Sequence, residues 1–263
     1  MVSQAHSSLA PNAAASVYKK RFTIRYSDIN LHAELKMVKI FDYFQDIASE
    51  HAALMGVSGY DVLRKSLAWV IFRYHLKIEK LPSWNEIIEI QTFRSSYKKL
   101  YETRFFQGMD KEGQLLFEGK TAWILVDVAT RKPARLDKHL PQLLTGYDIS
   151  SPGDYEFLDP EPLTQVDEEA FFTVGMMDLD FNKHVNNSVY PAWAMEAVPE
   201  EILFAAGVAE IDIRFVSEAL YKERIISQVQ RINGSELPCF LHRIVRETDH
   251  MELARLKSLW RTP

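Results

Sequence analysis

Hydrophobic positions along this chain repeat with two different periods, and the order of those periods occurs twice. From Lys19 to Tyr26 apolar and polar residues alternate loosely, the pattern of a strand with one buried face. A polar break, Ser27-Asp28-Ile29-Asn30-Leu31-His32, follows. Met37, Ile40, Phe41, Phe44, Ile47, Ala48 and Met55 then recur at threes and fours, which predicts a long amphipathic helix with Gly56 as its C-terminal cap. Four runs rich in Ile, Val, Phe, Trp, Tyr and Thr come next, at Ala68 to Leu81, Glu86 to Tyr97, Leu100 to Met109 and Gln114 to Val128. Pro82-Ser83, Lys98-Lys99 and Lys111-Glu112-Gly113 separate them, so they predict an antiparallel meander.

Between Ala129 and Glu168 the periodicity disappears among Pro133, Pro141, Pro152, Pro160 and Pro162, which predicts a linker running over the surface. The first order then returns. A strand is expected at Glu169 to Met176, a polar stretch after it, a helix from about Ser188 to Val198, and strands near Glu210 to Ser217, Glu223 to Ile232, Pro238 to Arg246 and Met251 to Trp260.

The chain therefore reads as a tandem repeat of α+β units, each an antiparallel sheet curled around its own helix, with the two sheets joined edge to edge. The expected divisions are a disordered tail over residues 1–16, a first unit over 17–128, a linker over 129–168 and a second unit over 169–263. An offset of 152 sets Asp180, Asn182 and His184 on Asp28, Asn30 and His32, and Trp193 on Phe41. Past the helix the offset becomes 137, setting Ile213, Phe215, Glu223 and Ile226 on Leu76, Ile78, Glu86 and Glu89. The first copy thus has a longer connection, placed around Gly56 to Leu67, where it could help close a pocket.

A net charge of −5 gives no global reason to expect nucleic acid, whose phosphates demand a basic footprint. No apolar run is long enough for a membrane helix. One cysteine, Cys239, excludes an intrachain disulfide and fits a reducing compartment. The first sixteen residues lack both the basic start of a secretory signal and the arginines of a transit peptide, so a cytoplasmic location is expected.

The densest chemistry lies in Asp178-Leu179-Asp180-Phe181-Asn182-Lys183-His184-Val185-Asn186-Asn187. On an extended backbone Asp180, Asn182 and His184 would point the same way and converge on one reacting group. Asn186, Asn187 and Ser188 are candidate caps for the following helix, whose N–H groups would suit a developing oxyanion. His184 has no His or Cys three or four residues away, so no metal is expected there.

This run, with Trp193 in the helix, resembles the acyl-acyl carrier protein thioesterases of plants and bacteria, which are tandem hotdog folds. Trp69-Val70-Ile71-x-Arg73, Pro82-x-Trp84 and Ile90-x-Thr92 extend the resemblance over about Tyr18 to Trp260. The resemblance implies hydrolysis of fatty acyl-acyl carrier protein in fatty acid biosynthesis, without a cofactor. It implies catalytic roles for Asp180, Asn182 and His184, and for a glutamate whose family spacing of 34 residues beyond the histidine lands on Glu218. On the 137 offset the first copy has Leu81 there, so that copy lacks the fourth group. The neighbour of Glu218 is Ala219, where an older proposal for the family put a nucleophilic cysteine, and Cys239 reads as a small core residue.

Either Glu218 or Asp180 is expected to act as general base on water, with Asn182 and His184 holding water or thioester. The resemblance also implies an acyl tunnel in the first copy, expected against Phe41, Phe44, Trp69, Ile71 and Phe72, with Asn186 and Asn187 at the thioester. The acidic carrier protein would dock on basic groups among Arg64-Lys65, Lys98-Lys99, Arg131-Lys132, Arg135 and Lys138. An acyl-coenzyme A thioesterase and a non-catalytic hotdog acyl-thioester sensor are the alternatives, and a homodimer is left open.

Overall fold

A computed structural model describes residues 17–98, 100–144 and 157–261; the expected tail over residues 1–16 lies outside them. In the first half β1 (Val17–Thr23) is followed by α1 (Met37–Leu54), the short α2 (Gly59–Leu63), and the meander β2 (Leu67–Ile78), β3 (Ile87–Lys98), β4 (Tyr101–Met109) and β5 (Leu115–Asp127). Two small elements, β6 (Pro133–Ala134) and α3 (Leu136–His139), lie in the connecting stretch. The second half runs β7 (Glu168–Thr173), α4 (Val189–Met195), α5 (Glu200–Ala205), β8 (Gly207–Phe215), β9 (Arg224–Ile232), β10 (Cys239–Arg246) and β11 (Glu252–Arg261). Among the described residues no helix is long and apolar enough to cross a membrane.

All these strands form one antiparallel sheet, in the order β1-β3-β4-β5-β2-β8-β11-β10-β9-β7, with β6 attached to β5. The halves join where β2 pairs with β8. Each half would otherwise leave that edge unpaired, so the join satisfies two rows of backbone groups at once. At its centre His75 meets Asp212, the residue 137 positions later, at 2.9 Å.

The periodicity of α1 buries Ile40, Phe41, Tyr43, Phe44, Ile47, Ala48 and His51 against the concave face. Phe44 stacks on Phe106 at 4.3 Å and sits so close to Gly119 that an added Cβ there would lie 2.3 Å from its ring. Glycine at 119 is what lets the helix reach the sheet.

The internal repeat is real, but its first offset is 150, not 152. Leu179 bridges Val185 as Ile29 bridges Leu35, and His184 bridges Leu220 as Glu34 bridges Ser83. Lys183 takes φ 66° as Ala33 takes φ 62°. Phe172 stacks on Trp193 as Phe22 stacks on Tyr43, so Trp193 falls on Tyr43 and not on Phe41. The matching Asp-x-Asn-x-His letters mislead because backbone geometry, not side-chain identity, fixes the register. The counterparts of Asp180, Asn182 and His184 are Asn30, His32 and Glu34, while Asp28 is buried against Arg25 and the Tyr43 hydroxyl. The offset of 137 holds past the helix: Lys222 and Asn85 both take φ 67°.

The stretch after β5, expected to run over the surface, starts as a small core. Leu136, Leu140 and Leu143 are buried with Val57, Val62, Leu67 and Leu125. Farther on, Asp159 accepts hydrogen bonds from Arg73 and Arg214, which tie the connection to the seam between the halves.

Candidate active site

Residues 180–184 form a tight loop, so the condition of an extended backbone is not met. The Leu179–Val185 bridge closes it, and Lys183 turns the chain through the left-handed region. Asp180 Oδ1 accepts from the backbone N–H of Asn182 at 2.8 Å and of His184 at 3.2 Å, and its Oδ2 accepts from Asn182 Nδ2 at 3.3 Å. The carboxylate therefore holds the loop and the Asn182 amide from within, as Asp side chains do in Asx turns. Asn30 Oδ1 binds the N–H groups of His32 and Glu34 in the same way in the first copy. A neutral amide suffices for the turn alone.

The loop lies alongside the chain leaving β8. Val185 N–H donates to Ala219 O at 3.1 Å, and His184 bridges Leu220. This brings His184 Nε2 to 3.4 Å from Glu218 Oε2, the two side chains being about a third exposed, at 29% and 35%. Arg131, from the turn after β5, donates from Nη1 to the same oxygen at 2.9 Å. That turn is held by Asp127, which accepts from Thr130 N–H and Oγ1, and Arg131 adopts φ 59°. On the other side, the Tyr190 hydroxyl accepts from Ala219 N–H at 3.0 Å, and Arg246 Nη2 donates to Glu218 O at 3.4 Å. Burial pushes the Tyr190 phenol well above its usual range, so it stays protonated. Glu218 is thus placed by three residues the sequence did not single out for it: Arg131, Tyr190 and Arg246.

A cavity of about 390 Å³ lies within the first half and is closed by the second. Its wall comes from the later turns of α1, from Met55, from Val57 to Tyr60 with Leu63, from Leu67, Ala68 and Trp69, and from Glu102, Arg104 and Trp123. Asp180, Phe181, Asn182, Asn186 and Asn187 complete it. The longer connection of the first copy does line this space, and the Phe181 ring stacks on Tyr60 at 5.3 Å across the halves. Trp69 is fixed by its Nε1 donating to Val57 O at 2.9 Å.

Phe41, Phe44 and Ile71 are absent from the lining of this cavity; they are buried in the core and border an adjoining void of about 10 Å³, room for one water at most. Phe72 is off both spaces. A β-bulge between Ile71 and Arg73 interrupts the alternation there, and Phe72 packs edge-on against Tyr101.

The segment leading into α4 is partly closed as an oxyanion site. Asn186 N–H is bound by Asp178 O, Ser188 N–H by Asn186 Oδ1 and Val189 N–H by Asn186 O. Asn186 is the cap in effect, and the Ser188 side chain makes no cap bond. Among the described residues Asn187 N–H has no acceptor, and Asn187 is on the cavity wall. Cys239 is buried, which pushes its thiol pKa up and suits a core role.

Comparison with known proteins gives one consistent result. The family described as the acyl-ACP thioesterase N-terminal domain matches residues 15–144, and the acyl-ACP thioesterase C-terminal domain matches 161–262. An oleoyl-acyl carrier protein thioesterase of Arabidopsis thaliana is 25% identical, over 93% of this chain and 76% of its own length. A dodecanoyl-[acyl-carrier-protein] hydrolase of Cinnamomum camphora is 22% identical, over 93% and 68%. Among solved structures, a 12:0-ACP thioesterase of Umbellularia californica superposes with a TM-score of 0.83 at 22% identity, covering 94% of each chain. An acyl-ACP thioesterase of Bacteroides thetaiotaomicron gives 0.80 at 19% identity, covering 93% of this chain and 98% of its own.

Proposed function

The chain belongs to the acyl-ACP thioesterase family, whose members act on acyl-acyl carrier protein, and from that premise we propose how its residues release a free fatty acid. Glu218 is the general base. Its Oε2 is engaged by His184 and Arg131, while its Oε1 has no hydrogen bond among the described residues and is left for a water. Glu218 takes a proton from that water as the oxygen adds to the thioester carbonyl. Asn187 N–H and the Asn182 amide stabilise the oxyanion. When the tetrahedral species collapses, the C–S bond breaks and the proton on Glu218 passes to the departing thiolate. His184 orients Glu218, and Arg131 offsets the second negative charge near it.

Asp180 is a positioning residue in this reading, because its oxygens already serve the loop. The acyl chain occupies the 390 Å³ cavity, and the carrier protein approaches the face where Arg64, Lys65, Lys132 and Lys138 are exposed. Lys65 Nζ reaching His139 O at 3.4 Å brings those groups together beside α2, whose Tyr60 and Leu63 line the cavity. Lys99 lies outside the described residues. The approach of Glu218 to His184 from separate elements carries this assignment.

The decisive experiment is mass spectrometry of free fatty acids after purified protein is added to a panel of acyl-acyl carrier proteins, with acyl-coenzyme A of matched length beside them. Glu218→Gln should lower kcat by about 10²- to 10⁴-fold, the range for loss of a general base, with the fold intact by circular dichroism. Wild-type turnover by that variant would remove Glu218 from the mechanism. Greater loss on the carrier-protein substrates than on coenzyme A esters when Arg64 and Lys65 are reversed to Glu would place docking on α2.

A further inference from the structure

The inner wall of the cavity is charged where a hydrocarbon chain needs it apolar. Glu102 and Arg104 alternate on β4, so both point to the concave face, and they are only 5% and 4% exposed. Glu102 Oε2 is bound by Arg94 Nη2. Arg104 Nη1 donates to His51 Nδ1 at 2.9 Å and lies 3.3 Å from Thr92 Oγ1. The remaining ends of the pair, Glu102 Oε1 and Arg104 Nη2, face each other at 3.8 Å, too far for a hydrogen bond. Among the described residues neither atom has a hydrogen-bond partner, and both residues line the cavity.

The second copy shows what the same sheet position holds when no cavity is needed. Strand register sets Arg104, paired with Arg94 and Thr121, on Phe240, paired with Arg231 and Ser258. Phe240 is fully buried in core. The pairing is secure because Trp123 Nε1 donates to Thr121 Oγ1 at 2.8 Å as Trp260 Nε1 donates to Ser258 Oγ at 2.9 Å. The fold accepts an aromatic ring at this position, so packing alone does not call for an arginine. Burial lowers the Arg104 pKa to about 10, which leaves it cationic at neutral pH.

We propose that this cavity selects an acyl chain carrying a hydroxyl group, which bridges Arg104 Nη2 as acceptor and Glu102 Oε1 as donor. A hydroxyl has one donor and two lone pairs, and an oxygen can lie within hydrogen-bond reach of two atoms 3.8 Å apart. A plain alkyl chain entering the same space strips water from both charges and returns nothing to them. The proposal rests on the reading that the cavity holds the acyl chain.

Equilibrium binding separates the two. Straight-chain fatty acids of eight to twelve carbons and their hydroxylated isomers compete for a fluorescent fatty acid probe on the full-length protein. At one hydroxyl position the hydroxy acid should bind about 10- to 100-fold tighter than the plain acid of equal length, the range for a hydrogen bond to charged groups. Arg104→Met should abolish or invert that ratio, and Glu102→Gln should reduce it if the first variant does not fold. Equal or tighter binding of the plain acid at every length and position overturns the proposal and leaves an ordered water as the bridge. Cleavage of straight-chain acyl-carrier protein alongside that result would keep the thioesterase and lose only the hydroxyl selectivity. Tight hydroxy-acid binding without cleavage would do the reverse.

Discussion

At the scale of single residues, the proposed mechanism separates groups that hold from groups that react. Asp180 is spent on three hydrogen bonds within its loop, whereas Glu218 has one oxygen, Oε1, without a hydrogen bond among the described residues. Tyr190 links α4 to the segment carrying Glu218 by accepting from Ala219 N–H. Tyr190→Phe leaves that buried N–H without an acceptor, at a cost of about 1–3 kcal/mol. The segment carrying Glu218 then shifts, and kcat should fall about 10- to 100-fold with little change in KM, since small displacements of a catalytic group have effects of that order. Unchanged kcat together with an unchanged melting temperature would show that the bond does not position Glu218. The family spacing implied by the resemblance points to Glu218, but Arg131 and Tyr190 have no such signal. Each acts through a partner 87 or 29 residues away, and separation along the chain says nothing about which turn faces which strand.

At the scale of elements, helix position is set by close packing on glycine. Gly119→Ala places a methyl 2.3 Å from the Phe44 ring and 3.3 Å from His75 O. Phe44 is 1% exposed and clamped between rings, so it cannot swing away. The overpacking should cost about 1–3 kcal/mol, read as a lower melting temperature, and Phe44→Leu in the same chain should restore part of it. Equal melting temperatures for Gly119→Ala and wild type would mean that α1 can lift from the sheet. Periodicity gives α1 and every strand of both meanders to within a few residues, whereas the placement of Phe72 on the tunnel wall comes from the resemblance, and Phe72 packs on Tyr101 instead. Alternation predicts sides only while the strand is regular, and the bulge after Ile71 resets the side on which the chain presents its residues. The offset of 152 suggested by matching letters differs by two from the structural offset of 150 because Asp28 and Asp180 share a letter, but only Asn30 shares the turn of Asp180.

At the scale of the whole molecule, a single sheet couples both halves, and acid should unfold it partly through a buried imidazole. His242 is fully buried on β10 with Nε2 2.8 Å from Ser258 Oγ, and burial lowers its pKa from 6.5 to about 3. Above pH 6.5 the ring is neutral in folded and unfolded chains alike. As pH falls toward 3 the unfolded chain binds a proton that the fold excludes, so stability declines by up to about 1.4 kcal/mol per pH unit from this group. His242→Gln should flatten the loss measured by urea unfolding between pH 7 and 4, and parallel curves for the two proteins would rule out His242 as a source.

The sequence by itself determined the duplicated strand-helix-meander order, the family resemblance, and the polar loop with its distant glutamate. These are carried by local periodicity and by motif spacing, both of which survive in a linear reading. Only the tertiary structure decided that Asp180 braces the loop, that Arg131 reaches Glu218 across the two halves, and that the cavity wall bears a charged pair instead of Phe41 and Phe44. Those outcomes depend on which faces the twisted sheet turns toward one another, and contacts of that kind follow from the closure of the whole sheet around its helices.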